Sequence, residues 1–151
     1  MSQTSFAALG VPMPIADALT QQGIDSPFPI QIDTLPDSLA GRDVLGRGKT
    51  GSGKTLAFSI PMVARLADLR SGAAGSKQPL GLVLAPTREL VTQIAATMRP
   101  LAHAMNLRVT TIFGGVSQNP QAKAIREGVE IVVATPGRLE DLMQQGLLKL
   151  D

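Results

Sequence analysis

A glycine-rich segment that ends in a lysine and a threonine lies at residues 48–55. It reads Gly48-Lys49-Thr50-Gly51-Ser52-Gly53-Lys54-Thr55 and matches the phosphate-binding pattern G-x-x-x-x-G-K-[ST]. Glycines let the backbone curl so that successive N–H groups point at an anion. In this pattern Lys54 reaches the terminal phosphates and the Thr55 hydroxyl holds Mg²⁺. The segment predicts a site for a nucleoside triphosphate, and the alternative is a glycine-rich turn that binds nothing.

The sequence on either side of this loop supplies the elements that would position it. Val44 and Leu45 before the loop suit a strand, and apolar residues after it recur at helical spacing: Leu56, Ala57, Ile60, Val63, Ala64 and Ala67. A strand, a loop and a helix in this order aim the N-terminus of the helix at the phosphates. The flanking pattern therefore favours the phosphate site over the turn that binds nothing.

Strands and helices alternate along the rest of the chain. Strand-like runs lie at residues 81–85, 107–113 and 130–134, and helices are predicted at about 14–22, 30–39, 88–104, 120–127 and 136–145. Helix 14–22 should stop at Gly23, and residues 71–76 read as a flexible surface connection. Strands that alternate with helices predict a parallel sheet covered by helices, which is an α/β layered fold.

The composition is that of one globular domain. The chain has 151 residues, of which 44% are hydrophobic, and it carries no cysteine, so disulfides and thiolate metal sites are excluded. Its formal charge of +2 is far below the polybasic composition that by itself indicates a nucleic-acid partner. Met1 is followed by polar residues and not by the apolar core of a signal peptide, so we expect a cytoplasmic protein.

A proline-rich stretch upstream of the loop ends at Gln31. Pro27 and Pro29 make the chain stiff and extended here, which holds Gln31 in a defined place. A glutamine amide donates and accepts at once, as the N6 and N7 edge of adenine requires. Phe6 could stack on the same base. The alternative is a turn that leads into a helix, with Phe6 in the core.

Five short segments, taken in order, resemble those of the DEAD-box RNA helicases. They are residues 23–31, residues 48–55, Pro86-Thr87-Arg88-Glu89-Leu90, Gly114-Gly115 and Thr135-Pro136-Gly137-Arg138, similar to the Q motif, motif I, motif Ia, the GG element and motif Ib. The resemblance covers the chain from Phe6 onward. Two positions depart from the family pattern: Gly48 stands where alanine is more frequent, and Phe28 stands where threonine is more frequent.

The resemblance implies the first RecA-like P-loop domain of a bacterial-type helicase, a parallel sheet with helices on both faces. It divides the chain into an N-terminal helical segment, residues 1–41, and a partial ATP-binding domain, residues 42–151. It implies ATP and Mg²⁺ as cofactors, with Lys54 and Thr55 as catalytic residues and Thr55 as the metal ligand. The implied nucleotide-binding residues are Phe6, Gln31, Gly48, Thr50, Gly51, Ser52, Gly53, Lys54 and Thr55.

The resemblance also implies RNA as a partner, held by its backbone. The implied contact residues are Pro86, Thr87, Arg88, Gly114, Gly115, Thr135, Gly137 and Arg138. Thr87 and Thr135 each lie where a strand ends and a helix begins, so their hydroxyls and the first N–H groups of the helices should face one edge of the sheet. Arg88 and Arg138 can pair with phosphates. Such contacts carry little sequence preference.

The family's Asp-Glu-Ala-Asp motif should follow Arg138 by a few tens of residues, but the chain stops at Asp151. We therefore expect part of an ATP-dependent RNA helicase that unwinds short duplexes, with the 151-residue chain binding ligands without turnover. The alternatives are a non-catalytic ATP- or RNA-binding fragment and another P-loop enzyme, such as a small-molecule kinase. We also expect an incomplete sheet, in which the strand before the phosphate loop does not pair with the strand at 81–85.

Overall fold

The computed structural model describes residues 4–47, 53–72 and 79–149. A short 3-10 helix, Ala7–Leu9, precedes helices α1 (Met13–Gln21), α2 (Pro29–Leu39) and α3 (Lys54–Gly72). Strands and helices then alternate: β1 (Gly81–Leu84), α4 (Arg88–Ala104), β2 (Val109–Ile112), α5 (Asn119–Glu127), β3 (Ile131–Ala134) and α6 (Pro136–Gln144). Within the described ranges, no helix has the length and apolar character needed to cross a membrane.

The three strands form one parallel sheet in the order β1-β3-β2. The central strand β3 is buried along its whole length, as expected of a parallel strand covered on both faces. Its side chains alternate between two cores. Ile131 and Val133 pack with residues of α1 to α4, whereas Val132 and Ala134 pack with residues of α5 and α6. Helices therefore cover both faces, as the alternating pattern predicted.

The N-terminal helices belong to the larger of these cores. Helix α1 packs against α4 and α2 packs against α3. Ile15 and Leu19 of α1 and Leu35 of α2 are fully buried in the same cluster as Ile131. Residues 4–41 thus share a hydrophobic core with the sheet, while the domain boundary after residue 41 stays a prediction from the sequence.

The helix ends follow local signals that the sequence carries. Helix α1 is followed by Gly23 with a φ of +80°, a left-handed conformation that glycine adopts without strain. Helices α2 and α6 begin with Pro29 and Pro136, whose fixed φ suits the first helical position. The predicted bounds of these elements are therefore confirmed to within one or two residues.

Two local predictions were wrong. Residues 42–47 form no strand, with Val44 43% and Leu45 100% exposed. A cleft of about 810 Å³ separates this segment from β1, so among the described residues it has no neighbouring strand to pair with. Ser71 and Gly72 continue α3 and do not begin a connection, because the helix runs to Gly72. The rest of that predicted connection lies outside the described residues.

Candidate functional site

Gln31 connects the start of α2 to the phosphate loop. Its side chain is fully buried, and its Oε1 accepts a hydrogen bond from the Phe28 backbone N–H at 3.0 Å. Its Nε2 donates to the backbone carbonyl of Gly53 at 3.0 Å. A buried amide is stable only when its polar atoms are paired, and both partners here are backbone groups of predicted nucleotide-binding segments. The amide therefore fixes the two segments relative to each other.

Gly53 is required where the loop meets α3. Its φ is +87°, in the left-handed region, and a Cβ at this position would collide with Gln31 Nε2 and approach Phe28 Cδ2 to 2.7 Å. Only glycine gives Gln31 access to the Gly53 carbonyl. The predicted loop residues Gly48, Thr50, Gly51 and Ser52 lie outside the described residues, so their roles stay predictions.

Lys54 and Thr55 form the first residues of α3. The first N–H groups of a helix have no partner within the helix, and Lys54 beside them is exposed. Both residues line the cleft of about 810 Å³, which is also lined by Ala85 and Pro86 after β1. A lysine and a hydroxyl at a helix N-terminus suit a triphosphate and its Mg²⁺, which takes few protein ligands besides phosphate oxygens and water. These residues fit the predicted cofactors.

Phe6 lies in the hydrophobic core. Only 4% of its surface is exposed, and it clusters with Val11 and Leu35. This placement agrees with the alternative in which Phe6 is a core residue. Stacking of Phe6 on a base stays a prediction, which the burial of its ring does not favour.

Three predicted RNA-binding turns lie along one edge of the sheet. In the parallel register, Leu84 of β1 and Ile112 of β2 both align with Ala134 of β3. The residues that follow these three strands therefore emerge side by side at the carboxyl edge, where open α/β sheets bind ligands. They include Pro86, Thr87, Gly114, Gly115, Thr135 and Gly137.

The two threonines at this edge have different bonding. Thr87 Oγ1 accepts a hydrogen bond from the Leu90 backbone N–H at 3.2 Å and so caps α4. Thr135 takes the same position before α6 but makes no capping bond with its side chain. The Thr135 hydroxyl is therefore not engaged in holding its helix.

Arg88 packs across the glycine pair. Its guanidinium lies 5.1 Å from the centre of the Phe113 ring, within the range of a cation–π contact. A Cβ on Gly115 would lie 3.0 Å from Arg88 Nη1, so the glycine permits this close approach. Arg88 is exposed, and its other N–H groups lie in the plane of the guanidinium. Motif Ia and the GG element are thus brought together.

Arg138 is held by the loop between β2 and α5 and by α5 itself. Its Nη2 donates to the Val116 carbonyl at 2.9 Å, and its Nη1 donates to Gln121 Oε1 at 3.3 Å. The sequence indicated the arginine but missed Gln121, which is 8% exposed and lies with Ala122 and Ile125 on the buried face of α5. A polar residue on the apolar face of a helix was the one signal that could have indicated it.

A family model described as DEAD/DEAH box helicase matches residues 28–150. The chain belongs to the DEAD/DEAH box helicase family. The match excludes the alternative of a small-molecule kinase, and it supports the order of motifs from which the resemblance was inferred.

Two curated relatives illustrate the family match. The chain is 45% identical over 146 residues to DEAD-box ATP-dependent RNA helicase 24 of Oryza sativa subsp. japonica, covering 97% of this chain and 19% of the relative. It is 45% identical over 149 residues to ATP-dependent RNA helicase DeaD of Escherichia coli strain K12, covering 98% and 23%. The chain therefore spans about a fifth of the length of these curated relatives.

A solved helicase structure has the same fold. The crystal structure of the RNA helicase Prp28 from Chaetomium thermophilum bound to ADP superposes with a TM-score of 0.85 and 40% sequence identity. The superposition covers 100% of this chain and 36% of that one. The RecA-like α/β fold predicted for this DEAD/DEAH box helicase chain is confirmed, with three parallel strands in its described part.

Proposed function

We propose that this chain is the part of a cytoplasmic, ATP-dependent RNA helicase that binds ATP and one side of the RNA backbone. The observation that carries the proposal is the buried amide of Gln31, hydrogen-bonded to the Gly53 carbonyl of the phosphate loop. This bond connects Gln31, the candidate adenine-binding residue, to the candidate phosphate-binding loop. The family match and the relatives named as ATP-dependent RNA helicases support the same conclusion.

The adenine would be read by the half of the Gln31 amide that the two internal bonds leave unused, which requires this side chain, fully buried here, to become accessible to the nucleotide. A glutamine side chain offers two N–H donors and two acceptor lone pairs, and the two internal bonds use one of each. The second N–H matches the N7 acceptor of adenine, and the second lone pair matches its N6 donor. Guanine presents an acceptor at the position of N6, so it would face the carbonyl oxygen of Gln31 with a second acceptor.

The phosphates would lie at the start of α3. The Lys54 ammonium stabilises negative charge on the γ-phosphate, and the first N–H groups of the helix hold the other phosphate oxygens. The Thr55 hydroxyl would hold Mg²⁺, which neutralises charge on the β- and γ-phosphates when bound. The chain alone would bind these groups without turnover.

RNA would follow the carboxyl edge of the sheet, across the turns that begin with Thr87, Gly114 and Thr135. Backbone N–H groups, hydroxyls and the two arginines of these turns recognise phosphate and sugar, which gives little sequence preference. Binding that depends on phosphate charge weakens as salt rises. In the whole protein, this binding of the RNA backbone would be coupled to ATP hydrolysis and to the unwinding of short duplexes.

The test compares ATP with GTP in the full-length protein that contains this chain. The Gln31→Glu variant keeps an acceptor for the Phe28 N–H but loses the donor that the Gly53 carbonyl and adenine N7 require. We expect wild type to prefer ATP, and the variant to lose about 1–3 kcal/mol of that preference for each contact removed. Gln21→Glu, at the exposed end of α1, is the matched control and should keep the preference. Equal turnover of ATP and GTP by the wild-type protein would contradict the proposal.

A further inference from the structure

The backbone of the loop at residues 113–118, between β2 and α5, accepts hydrogen bonds from side chains of α5 and α6. Gln121 Nε2 on α5 donates to the Phe113 carbonyl at 3.0 Å, and Arg138 Nη2 on α6 donates to the Val116 carbonyl at 2.9 Å. At the far end of the loop, the Gln118 and Gln145 amides exchange two hydrogen bonds of 2.9 and 3.1 Å. Gly114 and Gly115 thus lie between two backbone carbonyls, those of Phe113 and Val116, that are both held by hydrogen bonds.

Gln121 is the residue that joins these contacts. Its amide donates to the Phe113 carbonyl and accepts from Arg138 Nη1 at 3.3 Å, so it bridges the start of the loop and the arginine. It is 8% exposed, which makes an unpaired polar atom here costly. The bridge therefore sets the Phe113 carbonyl and the Arg138 guanidinium at a fixed separation.

An amide suits this position for a chemical reason. The side chain must donate to a carbonyl and accept from a guanidinium at the same time, which asparagine and glutamine do. A glutamate accepts from the arginine but, when ionised, has no hydrogen for the carbonyl, and a lysine donates but cannot accept. The pairing of donor and acceptor across two elements is thus specific to an amide of this length.

We propose that Gln121 is a positioning residue that joins the glycine-pair turn and Arg138 into one preformed RNA-binding surface. The inference rests on the proposed function, since it assigns RNA contacts to Gly114, Gly115 and Arg138. A loop that is ordered before binding loses less conformational entropy when its ligand arrives, so affinity rises without any new contact. Gln121 contributes to RNA affinity in this way without touching RNA.

The test uses Gln121→Met, which has nearly the same length, no donor and only a weak thioether acceptor, in the full-length protein that contains this chain. Gln21→Met, on the exposed end of α1, is the matched control. Three quantities are measured: backbone NMR order parameters of residues 114–117, affinity for a fluorescent single-stranded RNA, and affinity for a fluorescent ATP analogue. We expect the order parameters to fall from about 0.85 to below about 0.6. RNA affinity should fall on the order of tenfold, because the loop must then be ordered when RNA binds, with unchanged ATP-analogue affinity.

Gln121→Glu keeps the inference testable if the methionine variant does not fold. Its carboxylate still accepts from Arg138 but cannot donate to Phe113, so the loop should loosen while Arg138 stays in place. Order parameters unchanged from wild type in both variants would overturn the inference, as would an equal loss of RNA and nucleotide affinity. If wild type binds no RNA, the proposed function fails, and the order parameters alone decide whether Gln121 holds the loop.

Discussion

Neutral amides, buried at the ends of helices, hold the candidate site together at the scale of single residues. Gln31 and Gln121 each donate to a backbone carbonyl of another segment, at Gly53 and Phe113. A neutral amide can be buried at lower cost than a charged group, and it can pair with backbone on one side and another group on the other. The charged groups Lys54 and Arg88 stay exposed, where phosphates can reach them.

Lys54→Ala should abolish ATP turnover in the full-length protein and leave the fold intact. The side chain is exposed, so its removal costs little stability, whereas the charge that we propose stabilises the γ-phosphate is lost. ATPase activity with RNA and the urea midpoint measure the two effects. Lys149→Ala, which removes another exposed lysine, should leave both unchanged. Near-normal activity of Lys54→Ala would show that the assigned role is wrong.

Glu130 should make the fold sensitive to acid. Burial disfavours its charged form, but hydrogen bonds from the Arg108 side chain and backbone, together with the Arg108 charge, outweigh burial and hold the pKa of Glu130 below its ordinary value. A carboxyl whose pKa is lowered by folding stabilises the fold above its unfolded pKa of about 4.3, and this stabilisation is lost as the pH falls through the folded pKa.

Glu130→Gln should therefore lower the free energy of unfolding by about 1–2 kcal/mol at pH 7, and the difference from wild type should shrink as the pH falls. Urea titrations between about pH 7 and pH 3 measure it, spanning the ordinary range for glutamate. Glu127→Gln is the control, because Glu127 is exposed and its pair with Lys123 at 3.8 Å is a surface pair of small effect. A constant difference at all pH values would contradict this role of Glu130.

At the scale of elements, the parallel register brings three strand ends level, and the helices that follow determine how the turns are presented. Helix α4 begins with a side-chain cap from Thr87, whereas α6 begins without one from Thr135. The two threonines occupy equivalent places at neighbouring strands, so their structural and ligand-binding contributions can be separated.

Thr87→Ala should lower the free energy of unfolding by about 1 kcal/mol, the usual effect of losing a capping hydroxyl. Thr135→Ala should lower it much less, because its hydroxyl makes no capping bond. Urea unfolding compares the two, and RNA affinity should fall in both. Equal loss of stability in the two variants would show that the Thr87 cap has no special role.

The elements could be predicted from the sequence because their signals are local. Apolar periodicity, prolines at the first helical position and a glycine after α1 gave the helices and the three strands to within one or two residues. The strand at Val44 and Leu45 was wrong because a strand needs a partner, and a short apolar run does not reveal whether one is adjacent. Gln121 was missed for a similar reason: its partners lie 8 and 17 residues away in sequence, on other elements.

On the scale of the whole molecule, one side of the sheet is open. Among the described residues β1 pairs with β3 alone, and the cleft beside it is bordered by Leu45, which is 100% exposed, and Leu84, which is 53% exposed. A strand edge next to apolar side chains is a template for association with another chain.

The 151-residue chain should therefore self-associate as its concentration rises. Leu45→Glu should reduce the association, because it places a charge in the cleft at no cost to the core. Met13→Glu changes another exposed apolar residue, on α1, away from the cleft, and should have little effect. Sedimentation velocity over a range of concentrations measures the outcome. A wild-type chain that stays monomeric throughout would contradict the prediction.

The order of the strands also determines when the sheet can form during synthesis. Of the three described strands, the central strand β3 comes last, at residues 131–134, so β1 and β2 leave the ribosome before the strand that each of them pairs with. Helices α1 to α4 can pack before β3 is synthesised, whereas the sheet cannot form until then. Every pairing of a β1 residue with β3 spans about 50 residues of chain. Until residue 134 is made, two strand edges are exposed on one nascent chain. During the period between the synthesis of β1 and that of β3, these two strands therefore need protection from aggregation.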